Sequence, residues 1–293
     1  MSEIRIGRYT IEISNENKIL FPKNKITKLD LINYYKNISS LMLPYTKNHA
    51  ISMLRYPNGI DGEGFYQKEA GGYFPAWIKT KNLKKTDGYT NYVVINNIAT
   101  LVYLANQACI TPHLWLSKID KPQYPDRIIF DLDPSGKDFS MVQDGAMILK
   151  KRLEQLGFVP FAMTTGSRGI HVIVPIKRNH DFDFVRNFLH NLVKSLVEKH
   201  KNLFTLEMRK EKREKFVFID ILRNAYGQTG VAPYGVRPKE NAPVATPISW
   251  KEVQDKSLRP DKYTIKNIFA RLEKVQDPWR GFFKNAKSIK KNR

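Results

Sequence analysis

The sequence predicts a mixed α/β (α+β) fold in which central strands are flanked by helices. Short apolar runs of strand type mix with amphipathic helical segments along the whole 293-residue chain. Turns containing glycine or proline separate these segments, and several strand-like runs end on a polar residue. Neither an internal repeat nor a low-complexity linker divides the chain. We therefore expect one continuous folded unit of one or two lobes.

The helical segments carry recognisable boundaries. ITKLDLINYYKNISSLMLPYT (26–46) predicts an amphipathic helix with Thr27 as N-cap and Asp30 at the third helical position. Gly157 closes a second helix that begins near residue 138. Two further segments contain a helix: residues 91–109, which begin as a strand, and residues 180–200.

Four apolar runs predict the central strands. They are RIIFDLD (127–133), FVPFAMTT (158–165), GIHVIVPI (169–176) and KFVFID (215–220). The second and third frame the turn Gly166-Ser167-Arg168-Gly169, and the fourth ends on Asp220. We expect the basic C-terminal tail, from about 284 to 293, to be frayed.

The charge balance indicates a polyanionic partner. Lys and Arg number 49 against 28 Asp and Glu, a net charge of +21, and 42% hydrophobic residues suffice for a core. No apolar run approaches the roughly 18 residues of a spanning helix, and the N-terminus lacks a secretory core. Because Cys109 is the single cysteine of the sequence, an internal disulfide and a cysteine-based zinc site are excluded. We expect a cytoplasmic, nucleoid-associated protein without a membrane partner.

The stretch IIFDLDPSG places Asp131 and Asp133 one residue apart at a strand end. In a strand these two side chains share a face, where their charges repel unless a cation binds or one takes a proton. A divalent metal is a common solution because hard cations prefer carboxylate oxygens. Two alternatives stay open: a phosphatase with Asp131 as nucleophile and Asp133 as acid, or a pair of solvated strand-end charges.

Asp220 supplies a third strand-end carboxylate. Three carboxylates at neighbouring strand ends can hold two metals about 3.5–4 Å apart and clamp the oxygens of a phosphoryl transfer. In isolation a strand-end Asp is more often a helix cap or turn residue, so Asp220 gains meaning only beside Asp131 and Asp133.

TTGSRGIH (164–171) has the composition of a phosphate-binding turn, although it is not a Walker loop. Its glycines permit close backbone approach, and its N–H groups could form an anion nest. Ser167 adds a hydroxyl, Arg168 a planar fork and His171 a ring donor. The alternative is an ordinary hairpin turn with a core histidine.

Other candidates are weaker alone. Arg237 follows a glycine turn and is either a second phosphate-binding residue or an ordinary surface charge. His113 lies near Trp115 and is either a site residue or part of a packed aromatic cluster. The motif KTDG (85–88) matches the lysine motif of nucleotide-dependent ligases. However, Thr90 stands where those ligases carry Arg, so we interpret it as a solvated turn.

In this order, DLDPSG, TTGSRGIHVIVPI and FIDILRN followed by VAPYGVRP resemble the polymerase domain of bacterial ligase D. That domain is a branch of the archaeo-eukaryotic primase superfamily used in non-homologous end joining. KILFP (18–22), RYPNGIDGEGFYQKEA (55–70), LANQACITPHLW (104–115) and DPW (277–279) extend the resemblance to nearly the whole chain. It implies a primase-polymerase-type fold with central mixed or antiparallel strands, and one catalytic domain over residues 1–293.

The resemblance implies roles for three sets of residues. The catalytic carboxylates and metal ligands are Asp131, Asp133 and Asp220. The nucleotide contacts are His113, Ser167, Arg168, Gly169, His171, Arg223 and Arg237. The DNA contacts are Lys18 and Lys28 at a 5′-phosphate, Phe65 and Tyr66 near the template, and Arg55 and Lys68. Three positions depart from the family pattern: Arg168 replaces a common lysine, Arg223 a common glutamine and Tyr66 a usual phenylalanine.

The implied activity is template-directed nucleotidyl transfer that fills gaps at DNA double-strand breaks. The resemblance implies two Mn²⁺ or Mg²⁺ ions, NTP or dNTP substrates with a preference for ribonucleotides, and DNA with 5′-phosphate ends or gaps. A separate DNA ligase and a Ku-type end-binding protein would cooperate with this chain. The alternatives are a two-aspartate phosphohydrolase and a non-catalytic DNA-end-binding protein.

Overall fold

The computed structural model describes residues 2–85, 88–136 and 138–290, so Thr86 and Asp87 of the KTDG motif lie outside the described residues. The strands, in chain order, are β1 Ser2–Ile6, β2 Tyr9–Ile13, β3 Ile19–Phe21, β4 Ile26–Thr27, β5 His49–Arg55, β6 Phe65–Gln67, β7 Thr80–Lys85, β8 Gly88–Val93, β9 Cys109–Lys118, β10 Arg127–Pro134, β11 Phe161–Thr164, β12 Ile170–Pro175, β13 Phe204–Thr205, β14 Val217–Asp220, β15 Thr229–Val231 and β16 Pro247–Ile248. The α-helices are α1 Lys28–Thr46, α2 Ile98–Asn106, α3 Ser140–Gln155, α4 Phe182–Lys199, α5 Trp250–Val253 and α6 Ile268–Leu272.

The chain divides into two compact units. The first contains residues 1–115, 231–245 and 263–269, and the second contains residues 116–230, 246–262 and 270–293. In the first unit, α1 and α2 pack together. A four-stranded sheet has the order β15-β9-β5-β6. The division between the units falls inside two of its strands, after Trp115 in β9 and before Val231 in β15. The prediction of one catalytic domain over residues 1–293 stays a prediction.

The second unit is built on a six-stranded sheet in the order β13-β14-β10-β12-β11-β16. All neighbours pair antiparallel except β13 and β14, which are parallel. Phe130 and Leu132 of β10 are fully buried, and alternation along the strand turns Asp131 and Asp133 to the opposite face. The predicted mixed α/β class with central mixed or antiparallel strands is confirmed.

The first helix begins where its capping signal predicts. Thr27 accepts a hydrogen bond from the Asp30 N–H, and the Asp30 carboxylate accepts one from the Thr27 N–H at 2.8 Å. This reciprocal pair satisfies backbone donors that the first helical turn otherwise leaves open. Tyr34 and Tyr35 on this helix are buried, and their hydroxyls bond the backbone of Tyr234 and Ile110.

The C-terminal segment differs from the expectation of a frayed tail as far as residue 290. The backbone N–H of Lys177 donates to the carbonyl of Lys287 at 2.9 Å, and Ile289 is buried. A basic composition therefore did not prevent docking, because the backbone and one apolar side chain carry the contact. Within the described parts of the chain, no helix is both long and apolar enough to cross a bilayer.

Candidate active site

One row of side chains crosses three strands of the second unit. Asp131 of β10 stands opposite Asp220 of β14 on one side and opposite His171 of β12 on the other. Residues paired across antiparallel strands lie on the same face, and Asp133 joins that face two positions along β10. The sheet thus brings together the three carboxylates and His171, all of which the sequence singled out.

Asp131 is held by two basic groups. It is only 5% exposed, and its Oδ2 lies 3.4 Å from His171 Nε2 and 3.3 Å from Arg223 Nε. Burial alone would raise the pKa of this carboxyl, but His171 and Arg223 outweigh burial and lower the pKa to about 2. Asp131 is therefore ionised across the physiological range.

Asp133 has the opposite electrostatic balance. Burial and the neighbouring Asp131 charge raise its pKa, although Arg168, whose guanidinium lies 3.5 Å from Asp133 Oδ2, acts against them. A raised pKa means that the ionised form of Asp133 is less stable here than in water, because burial removes solvent and the Asp131 charge repels it. The pair therefore favours the arrival of a further cation.

The donor set fits a divalent metal in chemistry. Among the described residues, the buried Oδ1 of Asp131 has no hydrogen-bond partner, and a buried carboxylate oxygen is a ligand that hard cations prefer. Asp220 Oδ1 accepts the N–H of Leu222 at 2.7 Å. In this conformation arginines lie against Asp131 and Asp133, and no group of three or more acidic, His or Cys side chains in the described chain is arranged to hold a metal.

The turn between β11 and β12 is organised by Thr165, which the sequence analysis did not single out. Its Oγ1 accepts the backbone N–H groups of Ser167, Arg168 and Gly169 at 3.2, 3.2 and 3.1 Å. These N–H groups were expected to form an open anion nest, but in this structure they converge on a hydroxyl of their own turn. Binding of phosphate through the Ser167 hydroxyl and the Arg168 guanidinium stays a prediction.

Gly169 fixes this turn against β10. A Cβ at this position would lie 2.1 Å from the Leu132 carbonyl oxygen and 3.2 Å from Asp133 Oδ1. Only glycine permits so close a backbone approach. The absence of a side chain at residue 169 therefore sets the distance between the turn and the carboxylates.

The segment after β14 is tied to β10 by Asn224, a second residue that the sequence analysis left without a role. Asn224 is 1% exposed, accepts the Ile129 N–H at 2.9 Å and donates to the Ile129 carbonyl at 2.7 Å. The Asn224 side-chain amide thus makes with Ile129 of β10 the two hydrogen bonds that a neighbouring strand would otherwise make. Beside it, Arg223 reaches both Asp131 and the Thr229 carbonyl, the latter at 3.4 Å.

Two predicted nucleotide contacts belong to the first unit. His113 on β9 is buried, and its ring meets Tyr66 edge-on with centroids 5.3 Å apart. The backbone N–H of Arg237 donates to Pro243 at 2.7 Å. Their roles towards a nucleotide stay predictions.

The predicted DNA contacts also belong to the first unit. Phe65 and Tyr66 are 45% and 55% exposed, and the Arg55 guanidinium lies over the Phe65 ring at 5.6 Å. Lys68 is exposed. Phe65, Tyr66 and Lys68 are thus exposed to solvent, and Arg55 lies against the exposed ring of Phe65.

The two lysines predicted to contact a 5′-phosphate differ in solvent exposure. Lys18 is exposed, and its Nζ donates to Asn58 at 2.9 Å. Lys28 is only 4% exposed, and its ammonium donates to Ser14 Oγ and to the Asn106 carbonyl. Burial and then the Lys18 charge lower the pKa of Lys28. The sequence did not predict this burial, because a lysine side chain is ordinarily exposed.

Comparison with known proteins places this geometry in a family. The chain is 32% identical over 277 residues to the bifunctional non-homologous end joining protein LigD of Bacillus subtilis, covering 94% of this chain and 44% of that protein. It is 29% identical to the multifunctional protein LigD of Mycolicibacterium smegmatis, covering 91% and 35%. The chain thus spans less than half the length of these curated relatives.

A solved structure shares the fold. The polymerase domain from Mycobacterium tuberculosis ligase D in complex with DNA superposes with a TM-score of 0.87 at 26% identity, covering 94% of this chain and 99% of that one. Residues 27–279 match the family described as LigD, primase-polymerase domain. The predicted resemblance is confirmed: this chain belongs to the LigD primase-polymerase domain family.

Proposed function

We propose that this protein is a template-directed nucleotidyltransferase that fills gaps at broken DNA ends during non-homologous end joining. The observation that carries the proposal is the row formed by Asp220, Asp131 and His171, with Asp133 on the same face. A cluster of carboxylates beside a turn bearing Ser167 and Arg168 suits a phosphoryl transfer, in which positioning and charge stabilisation supply most of the catalysis.

In the proposed reaction the primer 3′-oxygen forms a bond to the α-phosphorus of a nucleoside triphosphate. The bond from that phosphorus to the bridging oxygen breaks, pyrophosphate leaves, and the proton of the 3′-hydroxyl passes to solvent. Asp131, Asp133 and Asp220 would hold two Mn²⁺ or Mg²⁺ ions, whose chemistry when bound is to lower the pKa of the 3′-hydroxyl and neutralise the leaving group.

The protein's own residues orient the reactants. Arg168 presents a guanidinium that can bind phosphate oxygens bidentately, and Ser167 adds a hydroxyl donor. His171 and Arg223 keep Asp131 ionised, which its low pKa reflects. Arg223 is a positioning residue in this scheme, since its contacts are to Asp131 and to the Thr229 backbone.

The first unit supplies the proposed contacts to DNA. Exposed aromatic rings such as those of Phe65 and Tyr66 can stack on bases, and Lys18, Arg55 and Lys68 carry positive charge. The buried ammonium of Lys28 is bound to Ser14 and Asn106 and does not present its charge to solvent. The net charge of +21 supports a nucleic-acid substrate, because each neutralised phosphate releases counterions. Preference for ribonucleotides, recognition of a 5′-phosphate, and cooperation with a separate ligase and a Ku-type protein belong to this same proposal.

The decisive experiment is primer extension on a gapped duplex with Mn²⁺. Ribonucleotides and deoxynucleotides are compared, with and without a phosphate on the downstream 5′ end. Asp133→Ala should abolish extension while DNA affinity is retained, and Asp144→Ala, which removes an exposed carboxylate from α3, should leave extension unchanged.

Other outcomes would replace the proposal. Hydrolysis of a simple phosphate ester without extension would favour a two-aspartate phosphohydrolase. Salt-dependent DNA binding without extension under any divalent metal would favour a non-catalytic end-binding protein.

A further inference from the structure

A second cleft lies beside the phosphate-binding turn, within the second unit. It has a volume of about 700 Å³, and its lining includes Ser167, Arg168, Gln143, Lys256 and Arg259. The cleft is large enough for a small anionic ligand. Neither Lys256 nor Arg259 belongs to the motifs that identified the family.

The wall formed by residues 255–260 is fixed in place. The buried Gln143 side chain of α3 donates to the carbonyls of Val253 and Asp255 at 2.7 and 2.8 Å. Leu258 is 1% exposed and anchors the same segment. Lys256 and Arg259 therefore project from a turn that is held on the helix, which reduces the entropy that a ligand must remove.

The charge of the cleft is positive. Arg168, Lys256 and Arg259 supply three cationic groups. The nearby Asp255 carboxylate is engaged by Ser257 and by Lys262, whose Nζ lies 3.4 Å away. Asp138, the acidic residue of the lining, accepts both the N–H and the hydroxyl of Ser140 at the start of α3. The cleft is thus complementary to an anion.

Arg168 connects this cleft to the carboxylates. Its guanidinium lies 3.5 Å from Asp133 Oδ2, and the same residue lines the cleft with Ser167. A chain of phosphates that begins at the carboxylates and passes the turn would therefore continue towards Lys256 and Arg259.

We propose that Lys256 and Arg259 form a polyphosphate subsite that binds the terminal phosphates of the incoming nucleotide and retains the pyrophosphate product. This inference rests on the proposed nucleotidyl transfer and adds residues to it. In the transfer described above, the departing group is pyrophosphate, and the cleft lining offers it Lys256 and Arg259, whose guanidinium is oriented by the carbonyls of Lys256 and Leu258. Lys256 and Arg259 are then specificity residues for the length of the phosphate chain.

The test uses the full chain and two inorganic probes. Binding of tripolyphosphate is measured by calorimetry, and pyrophosphate is measured as an inhibitor of primer extension. The variants are Lys256→Ala, Arg259→Gln and their combination. Glutamine keeps a donor for the Lys256 and Leu258 carbonyls, which Arg259 bonds at 3.0 and 2.7 Å. Lys251→Ala, an exposed lysine on α5 outside the lining, is the matched control.

We expect each substitution to weaken tripolyphosphate binding and pyrophosphate inhibition by about tenfold, the usual value of a charge-assisted contact. The KM for the nucleotide should rise with them, while the melting temperature and DNA affinity stay within error of the unmodified protein. Lys251→Ala should change none of these quantities.

Unchanged tripolyphosphate binding in the double variant would overturn the subsite, as would an equal loss in Lys251→Ala. Loss of DNA affinity in place of tripolyphosphate affinity would assign the cleft to a nucleic-acid backbone and also overturn it. If the unmodified protein extends no primer yet binds tripolyphosphate through these two residues, the proposed function fails and the polyphosphate subsite stands.

Discussion

Replacing Gly169 with alanine should separate the turn between β11 and β12 from the carboxylates of β10. The added Cβ would lie 2.1 Å from the Leu132 carbonyl oxygen, whereas such contacts essentially never fall below 3.0 Å. The Leu132 carbonyl is a backbone group of β10, and Leu132 pairs with Ile170, the residue directly after Gly169, so no side-chain rotation can relieve this contact. The turn must therefore withdraw from β10 by roughly 1 Å, and overpacking of this kind costs about 1–3 kcal/mol of folding free energy.

The effect on catalysis should exceed the effect on stability. Arg168 follows the turn and moves away from Asp133, and a misplacement of about 1 Å can cost on the order of 100-fold in rate. We expect kcat/KM for nucleotide addition to fall about 100-fold, with DNA affinity unchanged. Steady-state primer extension well below the melting temperature measures the first quantity, and fluorescence anisotropy of labelled DNA the second.

Gly72→Ala is the matched control, because a Cβ there meets nothing within 4 Å and the residue has no positive φ. It should leave melting temperature and extension unchanged. A Gly169→Ala variant whose kcat/KM stays within threefold of the unmodified protein would refute the reasoning, since the turn would then have room that the structure denies it.

Three further predictions follow from other contacts. Thr165→Val removes the acceptor of three N–H groups and should raise the KM for nucleotides about tenfold, whereas Thr165→Ser should not; steady-state extension kinetics compare them. Asn224→Ala should lower the free energy of unfolding in urea by about 2–3 kcal/mol, because both backbone groups of Ile129 lose a buried partner. Burial raises the pKa of Cys109 to about 12 from an ordinary 9.0, so the folded state keeps a proton that the unfolded thiol loses. The stabilisation is full below pH 9 and declines as the pH rises towards 12, so Cys109→Ala should flatten that part of the stability profile, and a thiol reagent at pH 8 should label Cys109 only as fast as the protein unfolds; labelling at the rate of a free thiol would contradict the burial.

Much of the architecture could be predicted from local signals. Thr27 and Asp30 mark the start of α1 because capping is a contact between residues three positions apart. The i, i+2 spacing places Asp131 and Asp133 on one face by strand geometry alone. The predicted fraying of the tail was wrong as far as residue 290, since composition does not reveal that Lys287 bonds a strand end.

The sequence by itself determined the helix and strand segments, the residue types of the candidate site and the family. Only the tertiary structure decided that β14 and β12 flank β10, so that Asp220 and His171 stand on either side of Asp131. It alone placed Thr165 beneath three N–H groups, Asn224 against β10 and Lys28 out of solvent. The reason is physical: periodicity and capping act over a few residues, whereas strand order and burial depend on packing between segments far apart in the chain.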